Sequence, residues 1–230
     1  MYGLLYCSVL VMGVVFGKYV KKCCENIVNK YFNTAKEEVE EDNNPTYHKR
    51  KLFSTPLVEG LNGASYLLIV YQFGYRLDSL IYCLVATFLL MISVIDWYTF
   101  EIPFILNKSI FIAGVLNLVI DYPNRIHNVF GFFVISVLLY LIYWVSRGAA
   151  IGGGDIKLMA SAGLVLGASK IVIAFFVACV IGSIIHILRM KITKENHVLA
   201  LGPYLAIGIY TTMLWGEQII QWYLQHALQV

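Results

Sequence analysis

Two aspartates at the ends of long apolar segments are the residues of this sequence best suited to chemistry. Asp155 directly follows three glycines, Gly152 to Gly154, and Asp96 closes another apolar run. A carboxylate at the edge of a bilayer is unfavourable, so such an acid usually marks a functional site. Two carboxyls a few ångströms apart share one proton, so the charged member can activate water while the neutral member polarises a carbonyl. The pair therefore indicates aspartic hydrolysis and would titrate as one unit.

The glycine-rich segment before Asp155 has two interpretations. Three successive glycines allow backbone angles closed to other residues and let a ligand approach the main chain closely. Alternatively, Gly152–Asp155 is only the capped start of a helix, and the spacing alone favours neither interpretation. A phosphate-binding loop is disfavoured because no Gly-Lys-Ser/Thr sequence follows. Asp96 could likewise be an interfacial residue that caps the turn before Pro103.

The composition predicts an all-α, polytopic integral membrane protein. Of the 230 residues, 59% are hydrophobic and 13% are charged, and the mean hydropathy is +0.72. Soluble domains carry about 25% charged residues. We expect about eight transmembrane helices, since a span needs about 17–25 residues; one run, 156–168, is short and would span partially or in a tight turn. The apolar runs are 2–17, 57–75, 79–95, 103–120, 127–146, 156–168, 169–188 and 199–220.

The distribution of Lys and Arg predicts the orientation in the membrane. When the runs alternate across the bilayer and the 18–56 loop is cytoplasmic, thirteen Lys and Arg residues fall on that side and three on the other. Cytoplasmic loops are enriched in these residues. We therefore expect a multi-pass protein of the cytoplasmic (inner) membrane with its N-terminus outside. Asp96 and Asp155 then share the cytoplasmic side, whereas Asp78 and Asp121 are solvated turn residues of outer loops.

The apolar runs and the charged loop divide the chain into four segments. We expect a first transmembrane span at 1–17, a cytoplasmic loop at 18–56, an aspartyl-type membrane core at 57–220 and a C-terminal tail at 221–230. The middle of the loop, 36–44, is acidic and poor in apolar residues, which predicts a flexible or short-helical segment. The first run lacks a basic n-region and a cleavage motif, so we interpret it as a retained span.

Four sequence blocks resemble those of the type IV prepilin leader peptidases, membrane aspartyl proteases of the GxGD type. Residues 95–103 are similar to the family's first aspartate block, in which a Pro follows the Asp by seven residues. Residues 152–160 are similar to its second block, in which an Asp follows Gly-x-Gly and a Lys comes two residues later. Residues 55–61 resemble the segment that opens the family's second span, and 202–208 resemble its last-span signature. The four blocks occur in order along most of the chain.

The resemblance implies an aspartic endopeptidase. Such an enzyme removes the short basic leader of type IV prepilins and pseudopilins, proteins of the type IV pilus and of protein secretion, at the cytoplasmic face of the membrane. Asp96 and Asp155 match the two catalytic aspartates, and Gly152 and Gly154 match the motif glycines.

Lys157 and Glu59 occupy conspicuous positions of the family pattern, close to the expected substrate. Lys157 is explained equally well as a positive-inside anchor. Glu59 is explained equally well as an acid near a helix N-terminus.

The cysteines depart from the family pattern. Many members carry two CxxC pairs in the first cytoplasmic loop, consistent with a bound zinc, and also methylate the new N-terminus with S-adenosylmethionine. Here that loop has only Cys23-Cys24. We therefore expect no zinc and no cofactor for proteolysis, and S-adenosylmethionine would be required only if the methyltransferase activity is present.

Two alternatives use the same acids. A preflagellin peptidase or another GxGD protease would apply the pair to a different substrate, but the blocks at 56–61 and 202–208 favour the prepilin branch. A proton-coupled transporter or channel also uses intramembrane acids, although it predicts ionisable residues at mid-span rather than at one edge. The expected partners are prepilin or pseudopilin substrates and membrane lipid, without nucleic acid.

Overall fold

The computed structural model describes residues 2–39, 55–193 and 200–227. No β-strand occurs within these ranges, so the prediction of an all-α fold is confirmed for them. The part of the predicted 18–56 loop that follows Val39 lies mostly outside the described residues. A short 3₁₀ helix, Tyr122–Asn124, joins the fourth and fifth α-helices. The α-helices are α1 Tyr2–Val39, α2 Thr55–Phe73, α3 Leu77–Thr99, α4 Phe104–Ile120, α5 Arg125–Val145, α6 Gly153–Leu166, α7 Ala168–Thr193 and α8 Gly202–Ala227.

Among the described residues, three segments are long and apolar enough to cross a membrane by length and composition: Leu77–Thr99, Tyr122–Val145 and Ala168–Lys191. Helices α5 and α7 also leave many large apolar side chains exposed, which is typical of surfaces that contact a membrane. Helix α6 has 14 residues, in agreement with the short apolar run predicted there. The total of about eight spans stays a prediction.

The first helix is longer than the sequence predicts. The first span is expected to end at residue 17, but α1 continues without a break to Val39. Its second half still has an apolar stripe, because Val20, Cys24 and Val28 are buried at intervals of four residues. This spacing places them on one helix face. The helix continues beyond residue 17 because that face is buried, a property that the length of an apolar run does not reveal.

Glycines allow neighbouring helices to approach closely. A Cβ on Gly13 of α1 would lie 2.8 Å from the Cα of Gly63 in α2, and a Cβ on Gly163 of α6 would collide with the backbone of Gly131 in α5. Small residues at helix contacts are the usual means by which membrane helices pack. These contacts hold α1 against α2 and α5 against α6.

Four helix ends meet at one end of the bundle. Asp96 in the last turn of α3 is hydrogen-bonded to Gly202 at the start of α8. Asn107 in the first turn of α4 is hydrogen-bonded to Gly154 at the start of α6. We call the region around these four residues the dyad end. The opposite end of the bundle, where α3 begins and α4 ends, is called the far end.

Candidate active site

Asp96 is buried at the end of α3, with 4% of its surface exposed. The backbone N–H of Gly202 donates a hydrogen bond to its Oδ2 at 2.9 Å. Because Gly202 is the first residue of α8, the carboxylate lies at the positive end of a helix dipole, which stabilises the ionised form. A Cβ at position 202 would lie 2.8 Å from the same oxygen. The contact therefore requires glycine at position 202.

Asp155 lies in the first turn of α6, outside the three candidate spans. Gly152 caps this helix with φ −72° and ψ 141°, and the Asp155 N–H donates to the Gly152 carbonyl at 3.2 Å. Burial first, and then the negative charge of Asp96, raise the pKa of Asp155 to about 7, while a hydrogen bond from the Gly152 backbone acts in the opposite direction. The influence of Asp96 on this pKa places the two carboxylates within electrostatic reach of each other.

The two carboxylates lack a neutralising cation. Within the described ranges, no Lys or Arg lies at salt-bridge distance from Asp96 or Asp155. Two acids without a counter-ion, close enough to influence each other, are expected to hold one proton between them. The arrangement can supply a general base and a general acid for hydrolysis. Their catalytic roles stay a prediction.

The glycines before Asp155 do not use glycine-only backbone angles. None of the residues 152–154 has a positive φ, and Gly153 and Gly154 already belong to α6. Glycine-only backbone angles therefore do not account for the three glycines. Glycine at position 154 eases packing instead, because a Cβ there would lie 3.0 Å from the Cβ of Ile102. The segment is a capped helix start, with Gly152 at the cap, and it also carries Asp155 to the dyad end.

Lys157 and Glu59 occupy separate surroundings. Lys157 is exposed, and its Nζ lies 5.3 Å from the centre of the Phe104 ring. Glu59 is half-buried on α2. Its backbone lies close to Gly17 of α1, because a Cβ on Gly17 would lie 2.7 Å from the Cα of Glu59. An exposed lysine at a helix start agrees with an anchoring role. A role of either side chain near the substrate stays a prediction.

Gly202 and Asn107 contact the site, but the sequence motifs do not predict these contacts. Gly202 opens α8 on the side of the bundle that holds Asp96, and the position of its block at the start of an apolar run could have indicated this. Asn107 is a polar residue within an apolar run, four residues after Pro103, and its burial could not be foreseen from that position. Its Nδ2 donates to the Gly154 carbonyl at 3.0 Å.

Metal-binding side chains are not clustered in the described part of the chain. There, no group of three or more His, Cys, Asp and Glu side chains is arranged to hold a metal ion. Cys24 is buried and Cys23 is exposed, and both are free thiols. The expectation that the chain binds no zinc stays a prediction.

Comparison with known proteins confirms the resemblance stated from the four sequence blocks. Residues 83–187, which include both aspartates, match the model of the type IV leader peptidase family. The prepilin leader peptidase/N-methyltransferase of Legionella pneumophila is 27% identical over 176 residues, covering 74% of this chain and 61% of that protein. The protein of the same name from Pseudomonas aeruginosa is 27% identical over 179 residues, covering 75% and 62%.

A third relative is more similar over a shorter region. The prepilin leader peptidase/N-methyltransferase of Pectobacterium carotovorum is 33% identical over 132 residues, covering 54% of this chain and 47% of that protein. The chain thus spans less than two thirds of the length of the relatives that it matches. No solved structure matches it.

Proposed function

We propose that this chain is a membrane-embedded aspartic endopeptidase that removes the short basic leader from type IV prepilins or pseudopilins. The observation that carries the proposal is that Asp96, buried beside the start of α8, and Asp155, in the first turn of α6, lie at the same end of the helix bundle, where the charge of Asp96 helps to raise the pKa of Asp155. The match of residues 83–187 to the type IV leader peptidase family supports it, because both aspartates fall within that region. The names of the relatives support the choice of prepilins over preflagellins as substrates.

The two carboxyls would hydrolyse the peptide bond with one shared proton. The ionised carboxylate takes a proton from water, whose oxygen forms a bond to the scissile carbonyl carbon. The protonated carboxyl donates its hydrogen to the carbonyl oxygen. The carbon–nitrogen bond then breaks as the carboxyl that took the water proton passes it to the leaving amine. The other carboxylate takes a hydroxyl proton from the intermediate, which becomes the product carboxyl group, and the pair is again singly protonated. Because the pair titrates as a unit, we assign the base and the acid to the pair and not to one aspartate.

We propose further that the dyad end faces the cytoplasm. The lysine-rich second half of α1 lies at this end, since Gly17 packs against Glu59 at the start of α2. Arg147 follows the end of α5 and Arg189 lies near the end of α7, also at this end. Membrane proteins concentrate such residues on the cytoplasmic side. The apolar segment of a prepilin would then remain in the bilayer, with its cleavage site at the membrane surface beside the carboxyls.

Methylation of the new N-terminus is a second candidate activity. It is favoured by the names of the relatives, each of which includes an N-methyltransferase. S-adenosylmethionine would supply the methyl group. The activity can be separated from cleavage by adding S-adenosylmethionine with a labelled methyl group to the cleavage reaction. Label on the cleaved pilin supports methylation, whereas cleavage without label restricts the chain to the peptidase.

The decisive experiment is cleavage of a purified prepilin by the purified full chain in detergent, with the cut site determined by mass spectrometry. We expect Asp96→Asn and Asp155→Asn each to lower the rate about a thousandfold or more, because each removes one member of the acid–base pair. Circular dichroism should show unchanged helix content.

Asp78→Asn and Asp121→Asn at the far end are the matched controls, and they should cleave at the wild-type rate. Wild-type protein that leaves the prepilin intact, or an Asp96→Asn or Asp155→Asn variant that retains activity, would contradict the proposal.

A further inference from the structure

Asn107 links α4 to the residue that precedes Asp155. Its Nδ2 donates a hydrogen bond to the Gly154 carbonyl at 3.0 Å, and the residue is 2% exposed. An amide oxygen could not form this bond with a carbonyl, so the partner determines which way the amide points. Asn107 therefore acts directly on the turn that carries Asp155.

Ser161 reinforces this contact from α6. The hydroxyl of Ser161 is buried and shares its hydrogen between the carbonyls of Lys157, at 2.8 Å, and Asn107, at 3.3 Å. Asn107 is thus connected to α6 through its side chain and through its main chain. The first turn of α4 and the first three turns of α6 are joined at this single residue.

Space is left around part of the glycine turn in the described structure. A Cβ on Gly153 would meet nothing within 4 Å, and the atoms nearest to a Cβ on Gly154 belong to Ile102. Because glycine loses more conformational freedom on ordering than any other residue, three in succession depend on contacts from outside the turn. The Asn107 amide supplies the polar contact.

The side chain of Asn107 also carries a buried atom that packing does not explain. Its Oδ1 is inaccessible and has no hydrogen-bond partner in the described part of the chain. Burial of an unpaired amide oxygen is unfavourable. A leucine of similar size would fill the same space without that penalty. The presence of an amide at this position is explained by the hydrogen bond that its Nδ2 donates.

Asn117 provides a matched contact on the same two helices. It is 3% exposed, and its Nδ2 donates to the carbonyl of Val165 in α6 at 3.3 Å. It follows Asn107 by ten residues, which is nearly three helical turns. The two asparagines therefore make the same kind of contact, one beside Asp155 and the other away from the dyad end.

We propose that Asn107 is a positioning residue for Asp155, holding the Gly154 carbonyl so that the following carboxylate faces Asp96. This role rests on the proposed peptidase function. Asp96 of α3 is the charged group whose field acts on Asp155, while Lys157 of α6 lies over the Phe104 ring. Without the Asn107 bond the two carboxyls can separate, and their mutual influence weakens with distance.

Asn107→Leu in the full chain, assayed in detergent on a prepilin, tests the role. We expect kcat to fall about tenfold or more, because a small displacement of a reacting group is costly. KM should stay within about twofold, since substrate contacts are unchanged. The alkaline limb of the pH–rate profile should move to lower pH by about half a unit or more, because Asp96 no longer raises the pKa of Asp155 as strongly.

Two further variants separate this role from general packing. Asn117→Leu removes the matched bond and should lower thermal stability comparably, with kcat and the alkaline limb as in the wild type. Asn107→Ser is too short to reach Gly154 and leaves the interface uncrowded. It should therefore reproduce the kinetic changes of Asn107→Leu even where the apolar side chain of leucine prevents folding.

A measurement without substrate keeps the two proposals distinct. The part of the pH dependence of the thermal midpoint that Asp155→Asn removes reports the ionisation of Asp155, and it should change in the Asn107 variants but not in Asn117→Leu. Failure of the wild type to cleave a prepilin would contradict the peptidase proposal. An unchanged alkaline limb and midpoint profile in the Asn107 variants, or an equal change in Asn117→Leu, would overturn the positioning role.

Discussion

Acidic side chains at the two ends of the helix bundle differ in what they contact. At the far end, Asp78 forms an ion pair with Arg76 at 3.0 Å, and Glu217 forms one with Lys170 at 2.7 Å. These acids and bases belong to short turns or to neighbouring helices, and the side chain of Glu217 is 66% exposed. One side chain of each pair is largely exposed to solvent, and exposed pairs contribute little to stability.

At the dyad end the acids have backbone donors in place of basic side chains. The N–H of Gly202 donates to Asp96, and the backbone of Gly152 donates to Asp155. Asp96 is buried, and no ion pair to either carboxylate is found among the described residues. A buried acid without a counter-ion is unfavourable for folding.

The difference indicates what each set of acids does. An acid with a basic partner is explained by that partner, whereas a buried acid that has no basic partner and lies near another acid requires a functional explanation. The two ends therefore provide an internal control, because the same residue types occur in the same fold with opposite surroundings. Substitutions at the dyad end should affect catalysis, and those at the far end should affect only stability.

Apart from substitution of the aspartates themselves, the largest effect that sharpens this contrast is expected from Gly202→Ala. The new Cβ would lie 2.8 Å from Oδ2 of Asp96, so the carboxylate or the start of α8 must move. Loss of the N–H contact and displacement of Asp96 should lower kcat for prepilin cleavage about a hundredfold. Steady-state cleavage in detergent measures the change.

Gly216→Ala on the same helix is the control for the far end. A Cβ there would lie 3.0 Å from Cγ2 of Thr212 and 3.1 Å from Cγ of Lys170, so it is also crowded. It should leave kcat unchanged while altering thermal stability. Equal losses of kcat in the two variants would show that crowding anywhere on α8 is sufficient, and the contrast between the ends would fail.

The fold class and the two aspartates can be predicted from the sequence because they depend on local features. The length of the apolar runs indicates helices. When these runs alternate across the bilayer and the side rich in Lys and Arg is cytoplasmic, Asp96 and Asp155 are predicted on the same side of the membrane. The glycines and the spacing of Pro103 and Lys157 then relate both acids to one family. None of these steps requires knowledge of which helices are neighbours.

The contacts that hold the carboxylates cannot be predicted in this way. Gly202 is 106 residues from Asp96, and Asn107 is 47 residues from Gly154. An apolar run does not specify which helix it packs against, so neither contact follows from hydropathy. The close approach of Gly154 to Ile102 is likewise a contact between helix ends that the glycine motif does not specify.

The pH dependence of cleavage gives a second, smaller effect. Burial and the charge of Asp96 raise the pKa of Asp155 to about 7, and the dyad requires one proton. Activity should therefore fall as the pH rises through about 7, by about tenfold for each further unit. Asp121→Asn at the far end should leave the alkaline limb of the pH–rate profile unchanged. A profile that is flat from pH 6 to 9 would contradict the shared proton.

Stability should follow the same ionisation. The pKa of Asp155 is higher in the folded chain than the ordinary value of about 3.9 for an unfolded one, so folding favours the protonated form. The contribution of Asp155 to the stability of the folded chain is complete below about pH 4 and is lost as the pH rises through about 7. The thermal midpoint in detergent should decline over this window, and Asp155→Asn should remove that part of the decline.

The smallest effect is expected from Glu217→Gln, which removes the far-end ion pair with Lys170. Exposed pairs contribute about 1 kcal/mol or less. For a chain of this size the thermal midpoint should therefore fall by no more than about 2–4 °C, and kcat for prepilin cleavage should stay within about twofold of the wild type. Differential scanning fluorimetry and the cleavage assay measure the two quantities on the same preparation.

The result for Glu217→Gln decides whether the far end is catalytically silent. A loss of kcat without a loss of stability would mean that α8 transmits changes from Glu217 to Gly202, because both residues lie on that helix. The acids of the two ends would then be coupled through α8. An unchanged kcat together with a small fall in the midpoint is expected if the hydrogen bond from Gly202 to Asp96 depends only on the first turn of α8.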